Sequence, residues 1–264
     1  MPREQRGWIV KTVLAVVVGT LAVSAPARAG LWDGNCDQKA PREASVNVDG
    51  ARKVRVLASA GELKIHGAEG ASAVTVHGTA CASDEERLAE IKLVAERRGD
   101  VVHIEAVVPD NWSSGARALD LDIEVPASIA LEVEDGSGSV QIRGVGSVQI
   151  EDGSGELEID GVRGAVTVDD GSGSLNIANV EGQVRIKDGS GEIVVHDVAS
   201  VLIDEDGSGG VQLSRVRGNV VIRDDGSGSI SVADVAGDFT VDSDGSGGID
   251  HRDVRGRVKI PSDK

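Results

Sequence analysis

The second half of the chain repeats one alternation of apolar and polar residues at a nearly constant interval. The stretch DGSGSLNIANVEGQVRIK, residues 170–187, contains two segments in which every second residue is apolar. Alternation with a period of two is typical of a strand with one buried face. The residues of this copy that we predict to face inward are Leu175, Ile177, Val180, Val184 and Ile186. Each copy therefore predicts two short strands, with a valine at the corner between them.

The tetrapeptide DGSG opens seven such copies. The copies begin at Asp135, Asp152, Asp170, Asp188, Asp206, Asp225 and Asp244, so their spacing grows from 17 through 18 to 19 along the chain. A strand of about five residues cannot bury an apolar face alone, whereas stacking equivalent strands about 4.8 Å apart buries the face and pairs the backbone. The repeats predict an all-β fold, a parallel β-solenoid (β-helix) with about 18 residues per coil, in which single-residue length changes fall at corners.

The region before the repeats predicts an irregular beginning of the same stack. Residues 61–78, GELKIHGAEGASAVTVHG, show a strand–glycine–strand pattern with Leu63, Ile65, Val74 and Val76 as the apolar positions. Residues 83–86 fit a capping box that starts one short helix. We predict four parts: a secretory signal peptide (1–29), a leader segment (30–44), an N-terminal β section and cap (45–126) and the DGSG-repeat solenoid (127–264).

The segment 1–29 has the features of a secretory signal peptide. Arg3, Arg6 and Lys11 precede an apolar run over 13–23, and Ala-Arg-Ala at 27–29 fits a cleavage site. The apolar run is too short to cross a bilayer. We therefore predict an exported protein, either periplasmic or at the cell surface or secreted, with no transmembrane anchor in the mature chain.

The chain has two cysteines, Cys36 and Cys81. In an exported protein an isolated pair most often forms one disulfide, and that is our prediction. A metal-binding pair or two free thiols are the alternatives, but no histidine lies at zinc-finger spacing from either cysteine.

The chain is strongly acidic, with a formal charge of −17. The segment 1–29 carries a net charge of +3, so the remainder carries −20. Such a chain repels nucleic acid and anionic lipid and attracts cations or basic groups. We predict an envelope protein or a glycan as the partner, and no nucleic acid.

The order of the motifs resembles a known family. The segments VRVLASAGELKIHG and VTVHG are followed by an acidic helix and then by VPASIALEVEDGSGSVQIRGVGSVQIEDGSGELEIDGVRG. This succession is similar to the bacterial putative-adhesin family of β-strand-repeat proteins, a β-solenoid domain of unknown function, over roughly residue 45 to the C-terminus. The resemblance implies the same fold and an adhesin-like role, and it supplies no catalytic residues.

The aspartates of the seven DGSG motifs are the candidate site. A stacked column of carboxylates along one corner could bind cations, because hard cations favour carboxylate oxygens. The alternative is an Asx-turn in each coil, in which the carboxylate accepts from the backbone N–H two residues on. In calcium-binding nonapeptide repeats an aspartate lies two residues past the last glycine, where every copy here has an apolar residue. We favour the turn over ordered calcium and expect at most weak Ca²⁺ binding.

The sequence carries no motif of catalysis. It lacks the G-x-S-x-G elbow, the P-loop and the G-x-G-x-x-G fingerprint, and its five histidines are scattered. We predict a non-catalytic exported cell-envelope or surface protein, an adhesin-like scaffold that presents a rigid acidic solenoid to a partner. The alternative is a calcium-dependent polysaccharide-binding module or polysaccharide-active enzyme.

Overall fold

A computed structural model of the chain describes residues 36–109 and 116–261. The predicted signal peptide lies outside the described residues. Within them the chain forms twenty strands and one short helix, and the strands belong to one continuous hydrogen-bonded system. The repeats coil as a parallel β-solenoid in which successive turns lie about 18 residues apart, which confirms the predicted fold class.

The elements of the N-terminal section are β1 (Gln38–Asn47), β2 (Lys53–Leu57), β3 (Leu63–Ala68), β4 (Ala73–Ala82), α1 (Glu85–Glu90), β5 (Lys92–Arg98), β6 (Val101–Val107) and β7 (Arg117–Pro126). The strands of the repeats are β8 (Ala130–Asp135), β9 (Gly138–Arg143), β10 (Ser147–Asp152), β11 (Gly155–Val162), β12 (Val166–Asp170), β13 (Gly173–Asp188), β14 (Gly191–Asp206), β15 (Gly209–Val216), β16 (Val220–Asp225), β17 (Gly228–Val235), β18 (Phe239–Asp244), β19 (Gly247–Val254) and β20 (Val258–Lys259).

Equivalent strands of successive coils stack in parallel and in register. Leu175, for example, pairs with Leu157 in the coil before it and with Ile193 in the coil after it. β13 and β14 each run around the valine corner, so they contribute to both columns of strands. The five predicted apolar positions are buried in each coil through Val241 and form one continuous core. In the last coil the same positions are partly or fully exposed.

The length differences between coils are absorbed in two places. Between Val180 and Gln183 the register with the next coil shifts at the valine corner, as predicted. The extra residue of the longer coils instead lies in a bulge within β14: Ile186 pairs with Ile203, but the residue after Ile186 pairs with Glu205. This corrects the prediction that every length change falls at a corner. The bulge turns two successive residues outward, so the residues on both sides of it still face inward.

The N-terminal section extends the parallel stack, since β6 pairs in parallel with β2 and β7 with β3. Its strands β1, β4 and β5 add antiparallel pairs beyond them. β2 and β3 lie in parallel beside β8 and β9, and Leu63 pairs with Val140 as the predicted stack requires. The predicted partner segment at 74–76 belongs to β4, which is buried but pairs antiparallel with β1 and β7. β2, and not β4, therefore occupies the place beside β8, because β4 pairs along its whole length with β1. β1 spans the predicted boundary at residues 44 and 45.

The short helix starts one residue later than predicted. Asp84 is the N-cap, and its carboxylate accepts a hydrogen bond of 2.9 Å from the backbone N–H of Arg87. Ser83 is therefore not the capping residue. Ile91, directly after the helix, is fully buried, and Leu88 packs against the core.

The two cysteines form a disulfide, which confirms the predicted pair. Cys36 and Cys81 are bonded, with 5.6 Å between their Cα atoms. The bond joins the residues just before β1 to the far end of β4, the strand beside which β1 lies antiparallel. In the part of the chain that the structure describes, no helix has the length and apolar character needed to cross a membrane.

Candidate functional site

The seven aspartates of the DGSG motifs form one column, which we call the aspartate column. Each aspartate pairs in register with its equivalent in the next coil. Each aspartate ends the second strand of its coil, and the two glycines of its motif form the corner that leads to the next strand. The structure therefore brings together all seven predicted residues: Asp135, Asp152, Asp170, Asp188, Asp206, Asp225 and Asp244.

The aspartate column faces the interior and not the solvent. Six members are buried, from 7% exposed at Asp135 to 1% at Asp225, and only Asp244 in the final repeat is partly exposed. The ladder runs along one corner, as predicted, and its carboxyl groups point inward. Asp170 lies two residues after the buried Val168, so the period of two that buries the valine also turns the carboxyl group inward.

The residue before each aspartate faces outward. These residues form a second, solvent-facing series in which five of the seven positions are acidic, with Lys187 and Ser243 at the other two. We call the five acids the outer acidic row: Glu134, Glu151, Asp169, Glu205 and Asp224. The row, and not the aspartate column, is the acidic surface that a soluble partner would meet.

The carboxylates of the aspartate column have few hydrogen-bond partners. Asp170 Oδ1 accepts from the backbone N–H of Ser172 at 3.2 Å, so the predicted Asx-turn forms in that coil. Within the described chain, neither carboxylate oxygen has a hydrogen-bond partner in the other five buried members: Asp135, Asp152, Asp188, Asp206 and Asp225. An ionised carboxylate in such a place is costly unless a proton or a cation neutralises it.

Burial raises the pKa of every buried member of the column. The pKa of Asp135 rises to about 7, with the charge of Asp152 adding to the effect of burial. The pKa of Asp206 also rises to about 7, and that of Asp170 to about 6. Burial likewise raises the pKa of the other three, Asp152, Asp188 and Asp225. Part of the column is therefore protonated near neutral pH, because burial and the neighbouring carboxylates both oppose ionisation.

The geometry offers fewer ligands for a metal ion than calcium needs. Among the described residues no three His, Cys, Asp or Glu side chains converge as a metal site requires. In a stack, an ion between two coils meets one carboxylate from each, whereas Ca²⁺ takes six to eight oxygen ligands. Backbone carbonyls and water would have to supply the remainder. Cation binding by the aspartate column stays a prediction.

The glycines of DGSG are required by the close approach of successive coils. Gly173 has φ +146°, and a Cβ atom there would lie 1.8 Å from the carbonyl oxygen of Gly155 in the preceding coil. At the first glycine of the same motif, Gly171, a Cβ atom would lie 2.6 Å from the carbonyl oxygen of Gly153. The tetrapeptide is thus a corner, as predicted, that only glycine can make at this spacing.

The opposite corner carries a shallow groove of about 620 Å³ along its last coils. Its charged lining residues are Asp197, Arg215, Arg217, Asp234, Asp253 and Arg255. Arg215 adopts a positive φ of 53° and donates two hydrogen bonds, 2.8 and 2.7 Å long, to the carboxylate of Asp197. Hydrogen bonds from Arg215 and His196 lower the pKa of Asp197. With three acids and three bases, the groove has no net preference for a charged ligand.

No family model matches this chain, and no curated protein matches it. Several solved structures are similar to it. One, a "putative lipid binding protein" from Parabacteroides distasonis, has 17% identity and a TM-score of 0.51, and covers 87% of this chain and 98% of its own. A "putative cell adhesion protein" from Clostridium sporogenes has 14% identity and a TM-score of 0.40 over 84% of this chain and 99% of its own. A "putative adhesin" from Bacteroides fragilis has 11% identity and a TM-score of 0.35 over 86% of this chain and 99% of its own. The likeness to the Parabacteroides distasonis protein supports a shared fold.

Proposed function

We propose that this protein is a non-catalytic, exported scaffold of the cell envelope or surface, adhesin-like in its role. Its solenoid presents the outer acidic row to the cationic groups of a partner, which is an envelope protein or a glycan. The observation that carries the proposal is the position of these acids. One rigid stack holds Glu134, Glu151 and Asp169 in consecutive coils on a solvent-facing edge, and Glu205 and Asp224 follow after Lys187, which pairs with Glu205.

The rigidity of the display has a physical basis. Each coil is held to its neighbours by in-register backbone hydrogen bonds and by a continuous core of Val, Ile and Leu. Side chains on such a stack lose little further freedom when a partner binds, so less free energy is spent on ordering them.

The disulfide supports export. The bond between Cys36 and Cys81 belongs to oxidising compartments, since cytosolic thiols are kept reduced. The neighbours named for adhesion also support a surface role, although their low identity transfers no partner.

Crosslinking in the native envelope tests this proposal. A variant with Glu151→Gln, Asp169→Asn, Glu205→Gln and Asp224→Asn removes most of the outer acidic row without touching the core. A control variant removes four exposed acids elsewhere: Glu43→Gln, Glu69→Gln, Glu181→Gln and Glu192→Gln. We expect the wild type and the control to capture the same partner and the row variant to lose it. Equal capture by all three proteins would contradict the proposal, as would a protein retained in the cytoplasm.

A calcium-dependent polysaccharide-binding or polysaccharide-active protein is the second candidate. One observation favours it: the unpartnered, buried oxygens of the aspartate column are groups that a cation could neutralise. If this function holds, removal of calcium with a chelator lowers the melting temperature, and added calcium restores it by mass action. This candidate is excluded if the chelator leaves the melting temperature unchanged and the protein binds no polysaccharide in the presence of calcium.

A further inference from the structure

The Asp–Gly dipeptide that opens each DGSG motif is chemically reactive. The backbone nitrogen of the glycine can attack the side-chain carboxyl carbon of the aspartate, which closes a five-membered succinimide ring. Glycine favours this reaction because it has no Cβ atom to shield its nitrogen and it leaves the backbone free to rotate. The hydrogen bonds of the structure distinguish the copies that are protected from those that are open to the reaction.

Stacking of the coils protects the aspartate column. In six of the seven motifs the N–H of the first glycine donates to the backbone carbonyl oxygen of the aspartate in the preceding coil, as Gly171 does to Asp152 at 2.9 Å. Ring closure rotates this peptide group and breaks the hydrogen bond. A coil must therefore open before its Asp–Gly bond can react, and opening is rare in the core of a stable stack.

Asp49–Gly50, in the turn between β1 and β2, is an unprotected copy of the same dipeptide. The N–H of Ala51 donates to the carbonyl oxygen of Val48 at 2.6 Å, and only Gly50 of the two central residues has a positive φ, +75°, so the turn is of type II. Both central residues are exposed, and within the described chain neither the Asp49 carboxylate nor the Gly50 N–H has a hydrogen-bond partner. A Cβ atom at Gly50 would meet no atom beyond its chain neighbours within 4 Å, so the turn has room for the ring.

Arg97 of β5 lies where it can decide what the ring becomes. Its guanidinium donates a hydrogen bond to the backbone carbonyl oxygen of Asp49. Water that attacks this carbonyl carbon breaks its bond to the Gly50 nitrogen, which stays attached through the side-chain carbon, and the product is isoaspartate. Negative charge develops on the oxygen that Arg97 contacts and remains there as a carboxylate. The guanidinium therefore favours this route over attack at the side-chain carbon, which restores aspartate.

We propose that Asp49 is a self-modification site, at which the chain converts Asp49–Gly50 to isoaspartate through a succinimide, with Arg97 selecting the product. Ring closure joins the Gly50 nitrogen to the side-chain carbon of Asp49 and releases one water, formed from a carboxyl oxygen, the carboxyl proton and the amide proton. Hydrolysis of the ring takes one water back, so the reaction needs no oxidant, reductant or cofactor. The isomer has the mass of aspartate, but it adds one backbone atom to the turn and pairs a carboxylate with Arg97. The site is separate from the outer acidic row and does not depend on the proposed scaffold function.

Two tryptic peptides compare an exposed copy with a buried one. Residues 43–52 contain Asp49–Gly50 as their only Asp–Gly bond, and residues 164–185 contain only Asp170–Gly171. Folded, disulfide-bonded protein is kept in warm neutral buffer, and isoaspartate in each peptide is identified by electron-transfer fragmentation. We expect isoaspartate to form at least about tenfold faster in peptide 43–52, because peptide 164–185 reacts only when its coil opens.

Two controls accompany this comparison. In the reduced chain, unfolded in denaturant, the two peptides should react at similar rates, because the stack no longer protects either bond. The variant Asp49→Glu keeps the charge of the turn but cannot close a five-membered ring, so its peptide 43–52 should form no isomer. Equal rates for the two peptides in the folded protein would overturn the proposal. So would the lack of isoaspartate in peptide 43–52 of the folded protein while the unfolded chain forms it.

A matched pair of variants tests the selection of the product by Arg97. Incubation in heavy-oxygen water labels every molecule that has passed through the ring, so both products at residue 49 are counted. We expect the ratio of isoaspartate to labelled aspartate to be higher in the folded wild type than in the unfolded chain, and Arg97→Gln to return it to the unfolded value. Arg98→Gln removes the neighbouring exposed base of β5 and should keep the wild-type ratio. An unchanged ratio in Arg97→Gln would overturn the role of Arg97.

Discussion

At the scale of single residues, the second glycine of each DGSG motif is the most constrained position. Gly173 combines a positive φ with a neighbouring carbonyl oxygen 1.8 Å from where a Cβ atom would lie. Gly173→Val should therefore lower the free energy of unfolding by at least about 3 kcal/mol, since both the backbone and the coil contact must change. Gly248→Ala is the control, because a Cβ atom there would have no other atom within 4 Å. The melting temperature of this variant should equal that of the wild type. Equal melts for the two variants would contradict the close stacking.

Asp170 and Asp188 test the state of the aspartate column. Replacing both with Asn keeps size and shape while removing two buried charges, and the Ser172 N–H can still donate to the amide oxygen at residue 170. We expect the double variant to be more stable than wild type at pH 8 in calcium-free buffer, by on the order of 1–3 kcal/mol in chemical denaturation. If the variant is less stable than wild type only when calcium is present, the column is a cation site.

The sequence predicts the coil well because its signal is local and repeated. The alternation also indicates that the first aspartates point inward, since Asp135 lies two residues after Val133 and has the same parity. A carboxyl group on a buried face runs against the usual preference of aspartate, so composition alone does not predict this placement. The bulge at β14 and the place of β4 could not be predicted in the same way. Antiparallel pairing between β1 and β4 joins distant segments and leaves no period in the sequence.

At the scale of elements, the coil is the unit of stability. Deleting residues 171–188 removes one full turn and leaves β11 and β12 facing the two halves of β14, which are already their equivalents. We expect a folded, shorter solenoid with a β circular-dichroism spectrum. Deleting only residues 171–179 places a second strand where a first strand belongs and should abolish cooperative unfolding. A folded half-coil deletion would show that the stack tolerates a broken register.

The disulfide acts on β1, an edge strand that pairs only with β4 among the described strands. It closes a loop with a sequence separation of 45 residues, for which the loss of chain entropy in the unfolded state predicts about 4 kcal/mol. Cys36→Ser with Cys81→Ser should lower stability by roughly this amount and speed hydrogen exchange along β1. Reduction of the wild type should lower its melting temperature to that of the double serine variant. A melting temperature that does not change on reduction would contradict the disulfide.

At the scale of the whole molecule, the aspartate column gives stability an unusual dependence on pH. A carboxyl group whose pKa is raised on folding contributes stability that is full below its unfolded pKa, near 4, and is lost as the pH rises through its folded pKa. For Asp170, Asp135 and Asp206 the loss is complete near pH 6 to 7. Acids in ion pairs act in the opposite direction. Glu158, whose pKa is lowered by Arg143, loses its stabilising contribution only as the pH falls below about 4. The melting temperature should therefore fall between pH 5 and 7.5. The variant with Asp170→Asn and Asp188→Asn should show a smaller fall. A rise in melting temperature across that range would contradict the buried aspartate column.

The unequal ends of the solenoid have a mechanical consequence. The disulfide ties the first strand to the N-terminal section, while the last coil has a single neighbour among the described strands. Under tension applied to the last described coil, the stack should open from that coil backwards, one coil at a time. Each opened coil of about 18 residues would add roughly 60 Å of extended chain, so a force probe would record evenly spaced steps. The coils that are still folded would carry the load until each of them opened in turn.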